Sequence, residues 1–160
     1  MNFAIVLLLC LPWIYAEQSF SQELRDFDFG SSHQATVTTT YGVFEALTNG
    51  KGPFQLIFDT GAGVNVLNPA LIAQLGLHSE SSQAKLPAFG GPVESKAFHA
   101  DDVRIGGLTL HHQAFYSVQM PWPDGKGPVG AVGYEIMRRL VVTIDYEHQQ
   151  LTFYDPTSFT

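Results

Sequence analysis

Cysteine is nearly missing from this 160-residue chain, whose single copy is Cys10. Cys10 falls in an apolar leader described below, so the mature chain is expected to carry no thiol. That excludes disulfides, a cysteine nucleophile and zinc–thiolate sites. Charge is also scarce: 14% of residues are charged and the formal net charge is −7. The eight Lys and Arg residues run from Arg25 to Arg139, and only Arg138 and Arg139 are adjacent. No basic stripe exists to neutralise phosphates, so nucleic acid is not an expected partner. Gly-x-Ser-x-Gly and His-Glu-x-x-His are both absent, which leaves serine and zinc hydrolase readings without support. Gly130 to Gly133 is not followed by the Lys and Ser/Thr of a phosphate loop, no βαβ alternation occurs, and no internal repeat is present.

What remains is 45% hydrophobic, a composition of globular rather than disordered chains. The length suits one domain, which can bury roughly two-thirds of its unfolded surface without a disulfide or metal. Phe3 to Trp13 is an uncharged apolar run, followed by Ile14-Tyr15-Ala16 and the polar Glu17-Gln18-Ser19. This is the layout of a secretory signal peptide over residues 1–16, cleaved after Ala16, although no Lys or Arg precedes it. The run is short for a bilayer span, so no stable membrane anchor is expected after cleavage. Residues 17–32 are polar and weakly patterned and are expected to form a flexible entry segment.

Short strands should follow. Ala35 to Leu47 is rich in β-branched and aromatic residues, Asn49-Gly50 is a hairpin signal, and Phe54 to Phe58 reads as a buried strand. Strand character resumes from Val64 to Leu67. Asn68 and Pro69 cap and start a helix through Leu75, which Gly76 ends. Ser79 to Lys96 looks like a loop. Phe98 to Ile105 and Leu108 to Gln119 are expected strands joined at Gly106-Gly107, and Pro121 to Pro128 is a loop in which Trp122 serves as an anchor. Tyr134 to Leu140 is an expected helix with Arg138 and Arg139 on its solvated face. Val141 to Tyr146 and Gln150 to Tyr154 form a last hairpin. The sum is a mostly β sandwich or barrel with one or two short helices.

The chemistry concentrates at Asp59. The apolar strand Phe54-Gln55-Leu56-Ile57-Phe58 delivers this carboxylate into Thr60-Gly61-Ala62-Gly63, and apolar Val64 and Val66 follow. A carboxylate placed among apolar residues is costly unless it is hydrogen-bonded or functional. A purely structural turn carboxylate is the plainer alternative. His111 and His112 are strand neighbours and point to opposite faces. With His99, Asp101 and Asp102 they match no standard ligand spacing, so neither a metal nor another cofactor is expected.

Asp59-Thr60-Gly61-Ala62 behind Leu56-Ile57-Phe58 resembles the active-site motif of retropepsin-like aspartic proteases. Val129-Gly130-Ala131-Val132-Gly133 before the final helix resembles that family's hydrophobic-hydrophobic-Gly element, with Val132 and Gly133 packing on the catalytic loop. Gly133 to Pro156 resembles the end of bacterial aspartyl-protease-like domains, and Phe89-Gly90-Gly91 falls where the family has its substrate-covering flap. An ordinary loop there is the alternative. The resemblance covers about Ala35 to Pro156, within a domain expected at residues 33–156, and implies a closed retropepsin-like barrel or sandwich, one lobe per chain. It also implies Asp59 as the catalytic residue, with Thr60, Gly61 and Ala62 supporting its loop. Viral members carry an Asp where this chain has Gly63, so roles of that Asp do not transfer.

Family chemistry needs two carboxylates, and this chain has one Asp-Thr-Gly. Asp145 lacks that context, as do Asp26, Asp28, Asp101, Asp102, Asp124 and Asp155. The resemblance therefore implies a homodimeric endopeptidase acting on polypeptide, exported to a bacterial periplasm or secreted. The alternative is an inactive peptide-binding or dimerisation module on the same fold.

Overall fold

Alternating apolar and polar residues give most of this chain one face to bury and one to expose, the condition for a β-sheet. The structure, a computed structural model, describes residues 26–86, 91–122 and 126–159. The expected signal peptide and residues 17–25 lie outside the described residues. Eleven strands and two short helices are found among those described. They are β1 (Phe27–Asp28), β2 (Gln34–Thr38), β3 (Val43–Thr48), β4 (Lys51–Phe58) and β5 (Val66–Leu67). Then come α1 (Pro69–Leu75), β6 (His78–Leu86), β7 (Val93–Ile105), β8 (Leu108–Ser117) and β9 (Gly130–Val132). The chain closes with α2 (Tyr134–Met137), β10 (Val141–Asp145) and β11 (Gln150–Tyr154).

One sheet runs β1-β8-β5-β9-β4-β3-β7-β6, and β7 also pairs with β8. That second pairing closes β8, β5, β9, β4, β3 and β7 into a barrel, with β1 and β6 added at its sides. A separate three-stranded sheet has the order β10-β11-β2. Leu56, Leu67, Val103, Ile105, Leu108, Leu110, Phe115, Val132, Ile136 and Phe153 form the core and are fully buried. Phe58 of β4 and Phe153 of β11 meet edge to face, ring centres 6.0 Å apart, which ties the small sheet to the barrel.

The helix α1 forms as its sequence predicts. The Asn68 side chain accepts from the Ala70 N–H at 2.9 Å, Pro69 is the first helical residue, and Gly76 caps the end in the left-handed region. Asn49 and Gly50 take φ of 48° and 70°, the two positive values of a tight two-residue hairpin turn.

Other expectations change. Ser79 to Lys96 is not a loop: β6 and the first part of β7 form a hairpin pairing Gln83 with Lys96 through Leu86 with Val93. The arm is polar because few of its residues face the core, so it lacks the apolar alternation that marks a strand. Ala35 to Leu47 falls in two of the expected short strands. It breaks at Tyr41-Gly42, and β2 and β3 go to different sheets. Within residues 17–32, Phe27 and Asp28 pair with β8 and Phe29 is buried in the core, so this end of the segment is docked. The last helix stops at Met137, three residues early. Arg139 is not on a solvated face: it is half-buried, and its guanidinium donates to the Glu135 carbonyl and to the Gln113 side chain. Trp122 does anchor its loop, donating to the Pro128 carbonyl at 2.9 Å.

Candidate active site

Asp59 stands directly after β4, where the strand leaves the barrel. β4 runs parallel to β9, with Phe58 opposite Val132. The Asp59 N–H donates to the Val132 carbonyl at 3.0 Å, the last rung of that pairing. The chain then turns sharply. The Gly61 N–H donates to Asp59 Oδ1 at 2.8 Å, and the Ala62 N–H donates to the Asp59 carbonyl at 3.2 Å. Asp59, Thr60 and Gly61 are exposed. The carboxylate therefore has one oxygen held by the turn and one with no partner among the described residues. A carboxylate held in this way can accept a proton from, or orient, a water on its open side.

The inner side of this loop is clamped. The Tyr134 N–H donates to the Ala62 carbonyl at 2.8 Å. Asn65, 1% exposed, accepts from the Gly133 N–H at 2.9 Å and donates to the Ala114 carbonyl at 3.3 Å. One amide thus joins three segments: the loop after Asp59, the β9–α2 junction and β8. Its satisfied pair of bonds explains how a polar side chain is tolerated between Val64 and Val66. Gly133 is required by close approach, since a β-carbon there would collide with the Ala62 carbonyl oxygen and lie 2.9 Å from the Val64 carbonyl oxygen.

The outer side is open. A cavity of about 500 Å³ is lined by Thr60 and Phe58, by Tyr41 and Gly42, and by Ile144, Tyr146 and Leu151 among others. The Thr60 hydroxyl makes no hydrogen bond among the described residues. Asp145 also borders this cavity. Its carboxyl is held below the ordinary value of 3.8, chiefly by the His148 N–H and then by the His148 ring, both 2.8 Å away.

The structure thus brings Asp59, Thr60, Gly61 and Ala62 together with Val132 and Gly133. Phe89 and Gly90 lie outside the described residues, and Gly91, exposed with φ of 119°, is at the start of the returning arm β7. The histidines do not converge: His99 pairs with Glu80 and His111 with Asp102, each at 2.7 Å. No group of three or more His, Cys, Asp or Glu residues suited to a metal occurs among the described residues. Sequence reasoning missed Asn65. Its signal was present, as the one amide in the run Val64-Asn65-Val66-Leu67.

A model of the aspartyl protease family matches residues 44–136. The chain belongs to the aspartyl protease family. That match spans the Asp59 turn, Asn65 and the Gly133 junction. Among solved structures, the chain resembles a retropepsin-like aspartic protease from Rickettsia conorii. The TM-score is 0.53 and the identity 16%, over 76% of this chain and 90% of that one. EIAV protease, solved in complex with the inhibitor HBY-793, gives a TM-score of 0.46 and 19% identity, over 62% of this chain and 86% of that one. No curated protein matches in sequence. The fold of this aspartyl protease is retropepsin-like, and family and fold together support a protease-type function. No helix among the described residues is long and apolar enough to cross a membrane.

Proposed function

We propose that the protein is an exported aspartic endopeptidase, active as a homodimer, in which the Asp59 carboxylates of two copies act as a pair. The observation that carries this reading is the Asp59 turn. It presents a carboxylate at the surface with one oxygen fixed by Gly61 and the other open, in a chain that holds one Asp-Thr-Gly.

Two carboxylates brought close together cannot both ionise and so share one proton, as in aspartic proteases generally. The ionised Asp59 takes a proton from a water, whose oxygen attacks the scissile carbonyl carbon. The protonated Asp59 of the other copy gives its proton to the carbonyl oxygen. Collapse of the tetrahedral species breaks the carbon–nitrogen bond, a proton goes to the leaving amine, and the pair returns to one proton. The substrate is an extended polypeptide, bound largely through its backbone. By resemblance, Phe89, Gly90 and Gly91 correspond to the family's substrate-covering flap. The leader directs the chain to a bacterial periplasm or to the exterior.

The test is cleavage of a peptide library by the purified chain from residue 17 onward, from acid to neutral pH, beside Asp59→Asn. Cleavage with a bell-shaped pH profile is expected, reduced at least about 100-fold by the substitution. Cleavage that survives Asp59→Asn overturns the assignment. Folded dimers of both forms that cleave nothing would favour a peptide-binding module.

A further inference from the structure

A second cavity, of about 300 Å³, lies against the clamped inner side of the Asp59 loop, with Val64 and Asn65 in its wall. It opens along β8, between that strand's contacts with β1 and with β5. The His111 N–H donates to the Asp26 carbonyl at 2.8 Å and the Tyr116 N–H to the Asn65 carbonyl at 2.9 Å. Between those two bonds no strand covers this edge of β8 among the described residues. Two amides and two arginines meet there instead. Asn65 and Gln113 are the two buried amides among the described residues, 1% and 2% exposed, and both line the cavity. Arg138 and Arg139, the one adjacent basic pair in the chain, line it too. Neighbours on a continuing helix diverge by about 100°. Here α2 ends at Met137, and both side chains border one cavity.

The Arg139 guanidinium is aimed. Its Nε donates to the Glu135 carbonyl at 2.9 Å and its Nη2 to Gln113 Oε1. Gln113 is itself fixed, its Nε2 donating to the His111 carbonyl two residues back. That backward bond spans His112, which takes a φ of 52° inside β8. A left-handed residue within a strand is uncommon, and such departures persist where the surroundings hold them. With this kink a buried amide faces an arginine and orients its fork.

The lining carries two arginines against one carboxylate, Glu135, in a chain whose formal net charge is −7. Glu135 accepts from the Arg138 Nε at 3.2 Å. The cavity is at the small end for ligand sites, and Val64, Ala114 and Tyr116 give it an apolar wall. A planar guanidinium fork matches a carboxylate, and the volume suits one carboxylate on a short apolar stem. We propose that this cavity binds a carboxylate group, held by Arg138 and Arg139 with exposed His112 beside them. Two sources carry that chemistry: an acidic side chain of the polypeptide substrate, and a free small carboxylic acid. The first source rests on the reading that Asp59 cleaves polypeptide; the binding itself does not.

The test is calorimetric titration, at low ionic strength, of protein purified from the full-length gene. The probes are N-acetylglutamic acid α-amide and its neutral isostere N-acetylglutamine amide. Wild type is compared with Arg138→Gln, with Arg139→Lys, and with Arg104→Gln, an exposed site on β7 outside the lining. Arg139→Lys keeps the charge and loses the fork. The acid is expected to bind and the amide not. Its affinity should fall about tenfold in Arg138→Gln and in Arg139→Lys and stay unchanged in Arg104→Gln. Equal binding of acid and amide, or unchanged affinity in both cavity variants, overturns the site. Peptide pairs that differ only by Glu or Gln near the scissile bond separate the sources. A lower KM for the Glu peptide, lost in Arg138→Gln, assigns the site to substrate. Equal KM values, with the acid still bound, assign it to a free carboxylic acid. A wild type that cleaves no peptide fails the protease reading, and the titration decides the cavity independently of it.

Discussion

The loop that carries Asp59 has two sides, built on opposite principles. The inner side is crowded and finished. Asn65, Gly133, Ala62 and Tyr134 lock it through backbone bonds, and Gly133 leaves no space for even one methyl group. The outer side is open, with a cavity, two exposed tyrosines and a strand edge that has no partner among the described residues. Folding alone explains the first side, because the Asn65 side chain, the Gly133 and Tyr134 N–H groups and the Ala62 carbonyl all have partners inside the chain. The second side costs stability, with Tyr41 at a φ of 52° and its ring in water, and packing within the described residues offers no return for that cost.

Substitutions on the two sides should therefore part company. The largest effect is expected from Gly133→Ala. A β-carbon there would meet the Ala62 and Val64 carbonyl oxygens and the Ala62 β-carbon, none of which can move without moving backbone, and the loss should be about 3 kcal/mol in denaturant unfolding, with cleavage lost in parallel. Next comes Asn65→Ala. It strands the buried Gly133 N–H, and about 1–3 kcal/mol is expected from the same measurement. The outer side should respond in the other direction. Tyr41→Asn is expected to leave stability unchanged or raise it by up to about 1 kcal/mol. A loss of stability comparable to that of Asn65→Ala would erase the contrast between the sides.

The smallest effect concerns Asp145, at the rim of the open side. Its folded carboxyl titrates below the ordinary range because the His148 N–H and ring hold the charged form. The group therefore adds stability above that range, and the gain is lost as pH falls through its lowered value. Because the Asp145 side chain is open to solvent, which screens its charge, the change should be small. Asp145→Asn should lower Tm slightly near neutrality and converge with wild type in acid.

Much of this was legible in the residues. The Asn68–Gly76 helix, the Asn49-Gly50 turn and the last hairpin follow from local chemistry that tertiary packing does not override, whereas the approach of Val132-Gly133 to the Asp59 loop was implied by the family resemblance alone. The β6–β7 hairpin was not legible, because His78–Leu86 is held by cross-strand bonds rather than by an apolar face, and periodicity reports only faces. The break at Tyr41 was hidden for the opposite reason: Thr and Tyr are good strand residues, and nothing in Tyr-Gly announces a left-handed turn. Asn65 needed three dimensions, since its two partners lie on distant segments.

That distance bears on how the protein is made. Asn65 and Gly133 are 68 residues apart, and the parallel pairing of β4 with β9 spans a similar interval. Contacts of such long range form late and set a slow pace of folding. A ribosome has synthesised most of the chain before Gly133 emerges to clamp the turn. Until then the Asp59 turn lacks the Asn65–Gly133 bond that fixes its inner side.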